Sequence, residues 1–215
     1  MDFWSFVKRY KGTVIVGAII FAVALAGTIY GIATRAGDDG LMKQGAVTLH
    51  WDKMDFPLYC FKHSSVTEPY EQLYNEVISH INTSVTRPLL TQCTPWVIDK
   101  PFPIKPTQGT IIFRVGLEDE ASEDGISYSE PDDITHGRTS LYFMKDTGSM
   151  IGAIVRINSD EAIENRFKIL LHEMLHALGL GHDRTKDSVM YPGLQDRPQK
   201  LTEKDIDVLK DTYIR

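Results

Sequence analysis

The chain has 215 residues, 42% of them hydrophobic and 24% charged, with a formal net charge of −6 at neutral pH. That length allows one domain with a sizeable core plus an additional segment. The acidic balance without a basic stripe excludes nucleic acid as a natural partner, and two cysteines, Cys60 and Cys93, are too few for a disulfide-built scaffold.

The additional segment lies at the N-terminus. Lys11 and Arg35 bracket 23 uncharged residues, Gly12–Thr34, rich in Val, Ile, Ala, Leu and Phe. A bilayer takes about 20 such residues, so residues 12–35 are expected to form a transmembrane signal-anchor. A removed signal peptide, whose apolar region is shorter, is the alternative. Lys8, Arg9 and Lys11 precede the span, while Arg35 alone follows it before Asp38 and Asp39. Residues 1–11 are therefore expected in the cytoplasm and the rest in the periplasm or outside the cell. Beyond residue 35 there remain 19 basic and 28 acidic side chains, a net charge of −9. In such a compartment Cys60 and Cys93 could pair; two buried thiols are the other reading.

Residues 36–46, polar and glycine-containing, read as a linker, which leaves 47–215 as the folded domain. Val47–Phe61 carries β-branched and aromatic residues interrupted by Pro57, which suits an irregular or edge strand. Glu68–Val85 places Tyr70, Leu73, Val77, Ile78 and Ile81 at helical spacing. Pro95–Lys100 and Thr110–Leu117 read as strands. Glu118–Asp133 holds eight acidic and no basic residues with Gly125 and Pro131, and reads as a solvated loop. Calcium is the cation such a stretch could take, but no EF-hand spacing stands behind it. His136 could join those carboxylates in a second metal site. Leu141–Met144 and Ile151–Ile157, joined across Asp146-Thr147-Gly148-Ser149, predict a β-hairpin. Asn158, Ser159 and Asp160 are candidate caps for the helix that follows. Thr202, with Glu203 and Asp205 in the first turn, predicts a last helix burying Ile206, Leu209 and Tyr213.

Between the hairpin and that last helix lies His172-Glu173-Met174-Leu175-His176-Ala177-Leu178-Gly179-Leu180-Gly181-His182, the pattern HExxHxxGxxH. Residues four apart on a helix share a face, so His172 and His176 can bind one ion. Glu173, one residue from the first ligand, falls near the open coordination position, where a general base belongs. Gly179 lets the chain leave the helix through a backbone angle that other residues resist, and the turn returns His182 as third ligand. Three protein ligands leave one position open, which points to a catalytic rather than a structural zinc.

This motif, followed by Ser188-Val189-Met190-Tyr191-Pro192, resembles the metzincin zinc endopeptidases and within them the matrixins. The resemblance covers about residues 47–215 and is strongest from 138 onward. It implies an α+β domain with a twisted mixed β-sheet, a long zinc-binding helix and a C-terminal helix, here preceded by one transmembrane helix. It also implies that Met190 forms the Met-turn beneath the zinc-binding histidines. Asp183 after the third histidine is also familiar from adamalysins. No PRCGxPD-like segment is present, so latency through a propeptide cysteine is not implied.

The function these features predict is a membrane-anchored endopeptidase that uses one zinc ion and Glu173 to hydrolyse protein or peptide substrates. A catalytically silent binding module and a zinc hydrolase of non-peptide amides are the alternatives. If the resemblance extends to topology, Ser140–Met144 is an edge strand on which a substrate could pair, through Leu141, Tyr142 and Phe143. Tyr191 and Pro192 either line the adjoining pocket or shape the turn, and Gly193–Lys200 is the candidate pocket wall. Nothing in the sequence fixes an oligomeric state.

Overall fold

In the computed structural model, which describes residues 40–44, 47–52, 56–95, 106–117, 126–128 and 136–214, a mixed six-stranded sheet carries its helices on one face. The apolar run at residues 12–35 lies outside the described residues, and no helix among those described is long and apolar enough to cross a membrane. The described residues all fall within one unit spanning residues 34–215.

The elements in chain order are β1 (Lys43–Gln44), β2 (Val47–Thr48), β3 (Tyr59–Lys62), α1 (Glu68–Ser84), β4 (Thr94–Pro95), β5 (Thr110–Val115), β6 (Ile126–Tyr128), β7 (Gly137–Phe143), β8 (Met150–Ile157), α2 (Ile163–Ala177) and α3 (Glu203–Tyr213). Strands β1 and β2 form a small antiparallel pair. The main sheet runs β4-β3-β5-β8-β7-β6, parallel from β4 to β8 and antiparallel across β8-β7-β6. This is the α+β arrangement with a mixed sheet that the sequence led us to expect.

Alternation along the strands explains the layers. Ile111 and Phe113 of β5, and Ala153, Val155 and Ile157 of β8, join the core beneath the helices. Ile112 and Ile154 point to the opposite face, where Tyr142 packs against them. Helix α1 buries Tyr74, Val77, Ile78 and Ile81. The Tyr74 ring stacks on Phe113 at 4.1 Å between centroids, and its hydroxyl donates to the Arg114 carbonyl at 2.8 Å.

Several local expectations change. Pro57 does not interrupt a strand: β3 begins beyond it and lies inside the sheet between β4 and β5, because parallel partners on both sides take up its backbone groups. Of the predicted strand 95–100 only Pro95 is described. The acidic stretch 118–133 also lies outside the described residues, apart from Glu-free β6, which pairs Ile126, Ser127 and Tyr128 with Leu141, Ser140 and Thr139. Strand β7 is therefore not the sheet's edge along Thr139–Leu141. The hairpin β7–β8 forms as predicted. Helix α2 starts later than its candidate caps: Ala162 precedes it without a side-chain cap bond, while Asn158 accepts from the Asp160 amide in a turn. Cys60 and Cys93 are buried free thiols. Burial pushes the Cys60 thiol well up and the Cys93 thiol up to about 12, so both stay protonated at neutral pH.

Residues 40–42, expected as part of a flexible linker, are packed rather than loose. Leu41 and Met42 are buried, and the Met42 amide donates to the Gly179 carbonyl at 2.8 Å.

The C-terminal end of α2 receives donors from both ends of the domain. Trp51 Nε1 donates to Ala177 O at 2.8 Å, and the Tyr213 hydroxyl to Leu178 O at 2.6 Å. Burial pushes the Tyr213 phenol above its ordinary pKa, so it remains a donor. Tyr213→Phe removes that donor from a buried carbonyl, at a cost of about 1–3 kcal/mol. We expect the melting temperature to fall by about 2–4 °C per kcal/mol lost; an unchanged calorimetric melt would show that the bond contributes nothing.

Candidate metal centre

Helix α2 ends in a glycine-dependent stop. Gly179 takes φ +90°, its amide returns to His176 O at 2.8 Å, and the Leu180 amide returns to Leu175 O at 2.9 Å. These two bonds are the Schellman pair, which needs a left-handed residue that glycine supplies without strain. The chain then turns back and delivers His182 beside the two helical histidines, as the spacing predicted.

The Nε2 atoms of His172, His176 and His182 lie 3.1 Å from one another in all three pairings. A triangle of that size holds one ion about 2.0–2.1 Å from each corner, the ordinary zinc–nitrogen distance. His172 and His176 are buried, whereas His182 is partly exposed. Among the described residues this triad is the one cluster of three or more metal-ligand side chains.

The rings are set by backbone carbonyls. His172 Nδ1 donates to Val189 O and His176 Nδ1 to Leu180 O, each at 2.8 Å. A proton fixed on Nδ1 leaves the Nε2 lone pair for a cation. The donor set therefore fits zinc chemically as well as geometrically.

Val189 belongs to the turn that carries Met190, and Asp205 of α3 holds that turn. Asp205 accepts from Ser188 Oγ at 2.6 Å and from the Val189 amide at 3.2 Å. It also accepts from the Thr202 amide and hydroxyl, closing a capping box on α3. Met190 is buried, its amide donates to Ser188 Oγ, and its carbonyl accepts from the Asp183 amide beside His182. Burial would raise the Asp183 carboxyl, but hydrogen bonds from Lys204 and Thr185 outweigh it and hold the group below the usual carboxylate range.

Glu173 is buried against β7. Its Oε2 accepts from Thr139 Oγ1 at 2.7 Å. A Cβ on Gly137 would sit 2.8 Å from Glu173 Cγ and 3.0 Å from Oε1, so that glycine makes the room the side chain occupies. The three histidines of the motif are thus brought together, while Glu173, next to His172 in sequence, lies against β7.

The tentative substrate residues are not gathered in the same way. Leu141 points into the core and pairs with Ile126, so neither its side chain nor that stretch of edge is open to a substrate. Tyr142 packs on the opposite face of the sheet, and Phe143 lies half-buried against the core. Tyr191 and Pro192 are half-buried; their carbonyls accept from buried Arg197 at 2.6 and 2.7 Å, which fixes the course of the chain after Met190. His136 hydrogen-bonds Glu161 at 2.5 Å; the carboxylates of 118–133 that it could join lie outside the described residues. An open cavity of about 1060 Å³ is lined by His182 and Met190 and by Leu41, Asp207 and Asp211, with neither Glu173 nor β7 in its lining.

Sequence reading did not single out Asp205 as a support of the turn, nor Thr139, Gly137 or Arg197. Asp205 alone carried a local signal, as a first-turn acid of α3.

Residues 98–214, just over half of the chain, match the family model described as Matrixin. No curated protein sequence matches the chain.

Asp205→Ala leaves several buried donors without their acceptor. We expect a stability loss of about 3 kcal/mol or more, and metal affinity at the triad lowered by about 10–100-fold. Urea unfolding and competition with a chelator measure the two effects; a parent-like midpoint would show that Asp205 does not hold the turn.

Proposed function

The chain belongs to the matrixin family, and from that premise we propose that it is a zinc-dependent endopeptidase anchored in a membrane by its N-terminal segment. The observation that carries the peptidase reading is the convergence of three imidazole Nε2 atoms, 3.1 Å apart, two of them on helix α2, which also bears Glu173.

His172, His176 and His182 would hold the zinc. Bound there, the ion supplies Lewis acidity to the scissile carbonyl and to the attacking water. Glu173 takes a proton from that water as it attacks and passes it to the departing amine, so the carboxylate is restored at the end of each turnover. Thr139 holds one carboxylate oxygen by its hydrogen bond, which limits the orientations Glu173 can adopt. The substrate is a protein or peptide, as befits the family. We do not propose that it pairs along Thr139–Leu141, since β6 occupies that edge.

The anchor rests on the 23 uncharged residues Gly12–Thr34 and their basic N-terminal flank. It would place the C-terminal domain in the periplasm or outside the cell.

Glu173→Gln keeps the shape of the side chain and removes the base. We expect kcat/KM on a peptide substrate to fall by about 10²–10⁴-fold, with one zinc per chain retained by elemental analysis. Parent-like hydrolysis by this variant would rule out Glu173 as the base, and a zinc-loaded parent inert toward a broad peptide library would favour a silent binding module. For the anchor, the full chain should stay with membranes through a carbonate wash; its appearance as a soluble product shortened by about 35 residues would favour a removed signal peptide.

A further inference from the structure

His182 is the one ligand that α2 does not carry, so its position depends on the turn Leu178–Gly181. The helix secures the first half of that turn through the bonds from the Gly179 and Leu180 amides. The N-terminal segment secures the second half. Gly181 N donates to Gly40 O at 3.0 Å, Met42 N donates to Gly179 O at 2.8 Å, and Leu41 faces Leu180 in an antiparallel bridge.

The register of this bridge matters for the metal. Its two hydrogen bonds use the residues on either side of Leu180, which leaves the Leu180 carbonyl to accept from His176 Nδ1 at 2.8 Å. Three residues of the N-terminal segment therefore hold both the carbonyl that orients the second ligand and the residue that precedes the third. The segment is itself tied down. Met42 O accepts from the Leu49 amide, β1 pairs with β2, and His50 bonds backbone to backbone with Gly148 and Met150 at the β7–β8 turn. Leu41 is 7% and Met42 1% exposed, so side-chain burial reinforces the pairing.

We propose that residues 40–42 form a positioning strand for the metal site, so that zinc binding is coupled to the part of the chain directly following the N-terminal apolar segment. This rests on the reading of the triad as a zinc site, not on the reaction catalysed there. Coupling between two sites is reciprocal: unpairing the strand weakens zinc binding, and zinc tightens the pairing. A cut that frees the domain ahead of Gly40 would leave zinc affinity intact, whereas loss of residues 40–42 would lower it.

The test uses the full chain in detergent, with zinc affinity measured by chelator competition. Met42→Pro deletes the amide hydrogen that reaches Gly179, while Met42→Ala shortens the same side chain and keeps the amide. We expect Met42→Pro to raise the zinc Kd by about tenfold or more, the lower range for loss of a group that orients a ligand, and Met42→Ala to change it much less. Parent-like zinc affinity in Met42→Pro would overturn the proposal. Should Met42→Pro fail to fold, amide hydrogen exchange in the parent decides: zinc is expected to slow exchange at Met42 and Gly181, and unchanged rates at both would overturn the coupling. A parent that binds no zinc would overturn the site reading and the coupling together, whereas a zinc-binding parent with indifferent variants would overturn the coupling alone.

Discussion

Two backbone carbonyls, Val189 O and Leu180 O, orient the rings on which the candidate metal site depends. An imidazole can carry its proton on either nitrogen, and only with Nδ1 engaged as a donor is Nε2 left as a lone pair. Helix α2 supplies the rings but neither carbonyl. Both lie downstream, on turns that must be held in place by other parts of the chain. The metal centre is thus a meeting of segments remote in sequence, and the HExxH spacing is only its most visible part.

The sheet enters the candidate site through Glu173. Glu173 projects toward β7, where Thr139 donates to its carboxylate and Gly137 leaves space for its side chain. Strand β7 is held between β8 and β6, so its backbone is fixed over Thr139. A strand that holds Glu173 and a helix that carries His172 and His176 divide the candidate site between the two layers of the fold.

Much of this could be read in the sequence wherever the signal was local. The histidine spacing needs only helical geometry, Gly179 needs only its φ, and Thr202 with Asp205 needs only cap chemistry. The hairpin turn was legible for the same reason. Pairings between distant segments were not. Gly40–Met42 reads as a linker because three residues carry no periodicity, yet its partner is the Gly179–Gly181 turn, well over a hundred residues away. Strand β6 lies within an acidic stretch whose composition argues for solvent, and its three residues are too few to outweigh that. Thr139 sits in a strand like any other threonine of β propensity; what makes it special is the carboxylate opposite, which lies 34 residues further on. Composition likewise left two readings of the cysteines, and folding buried both as thiols.

Helix α3 shows how one ordinary element can settle both carbonyl positions. Asp205, in its first turn, accepts from the Val189 amide and so holds the turn that presents Val189 O to His172. Tyr213, at its last residue, donates to Leu178 O at the end of α2, two residues before the Leu180 carbonyl that binds His176. An α-helix rises about 1.5 Å per residue, so these two side chains act on points about 12 Å apart along a rod whose length is fixed by its own hydrogen bonds. Helix α3 contributes no ligand and no base. Through Asp205 and Tyr213 it is bonded to the Val189 turn and to the end of α2, so its capping box and its buried tyrosine bear on a candidate site that neither touches.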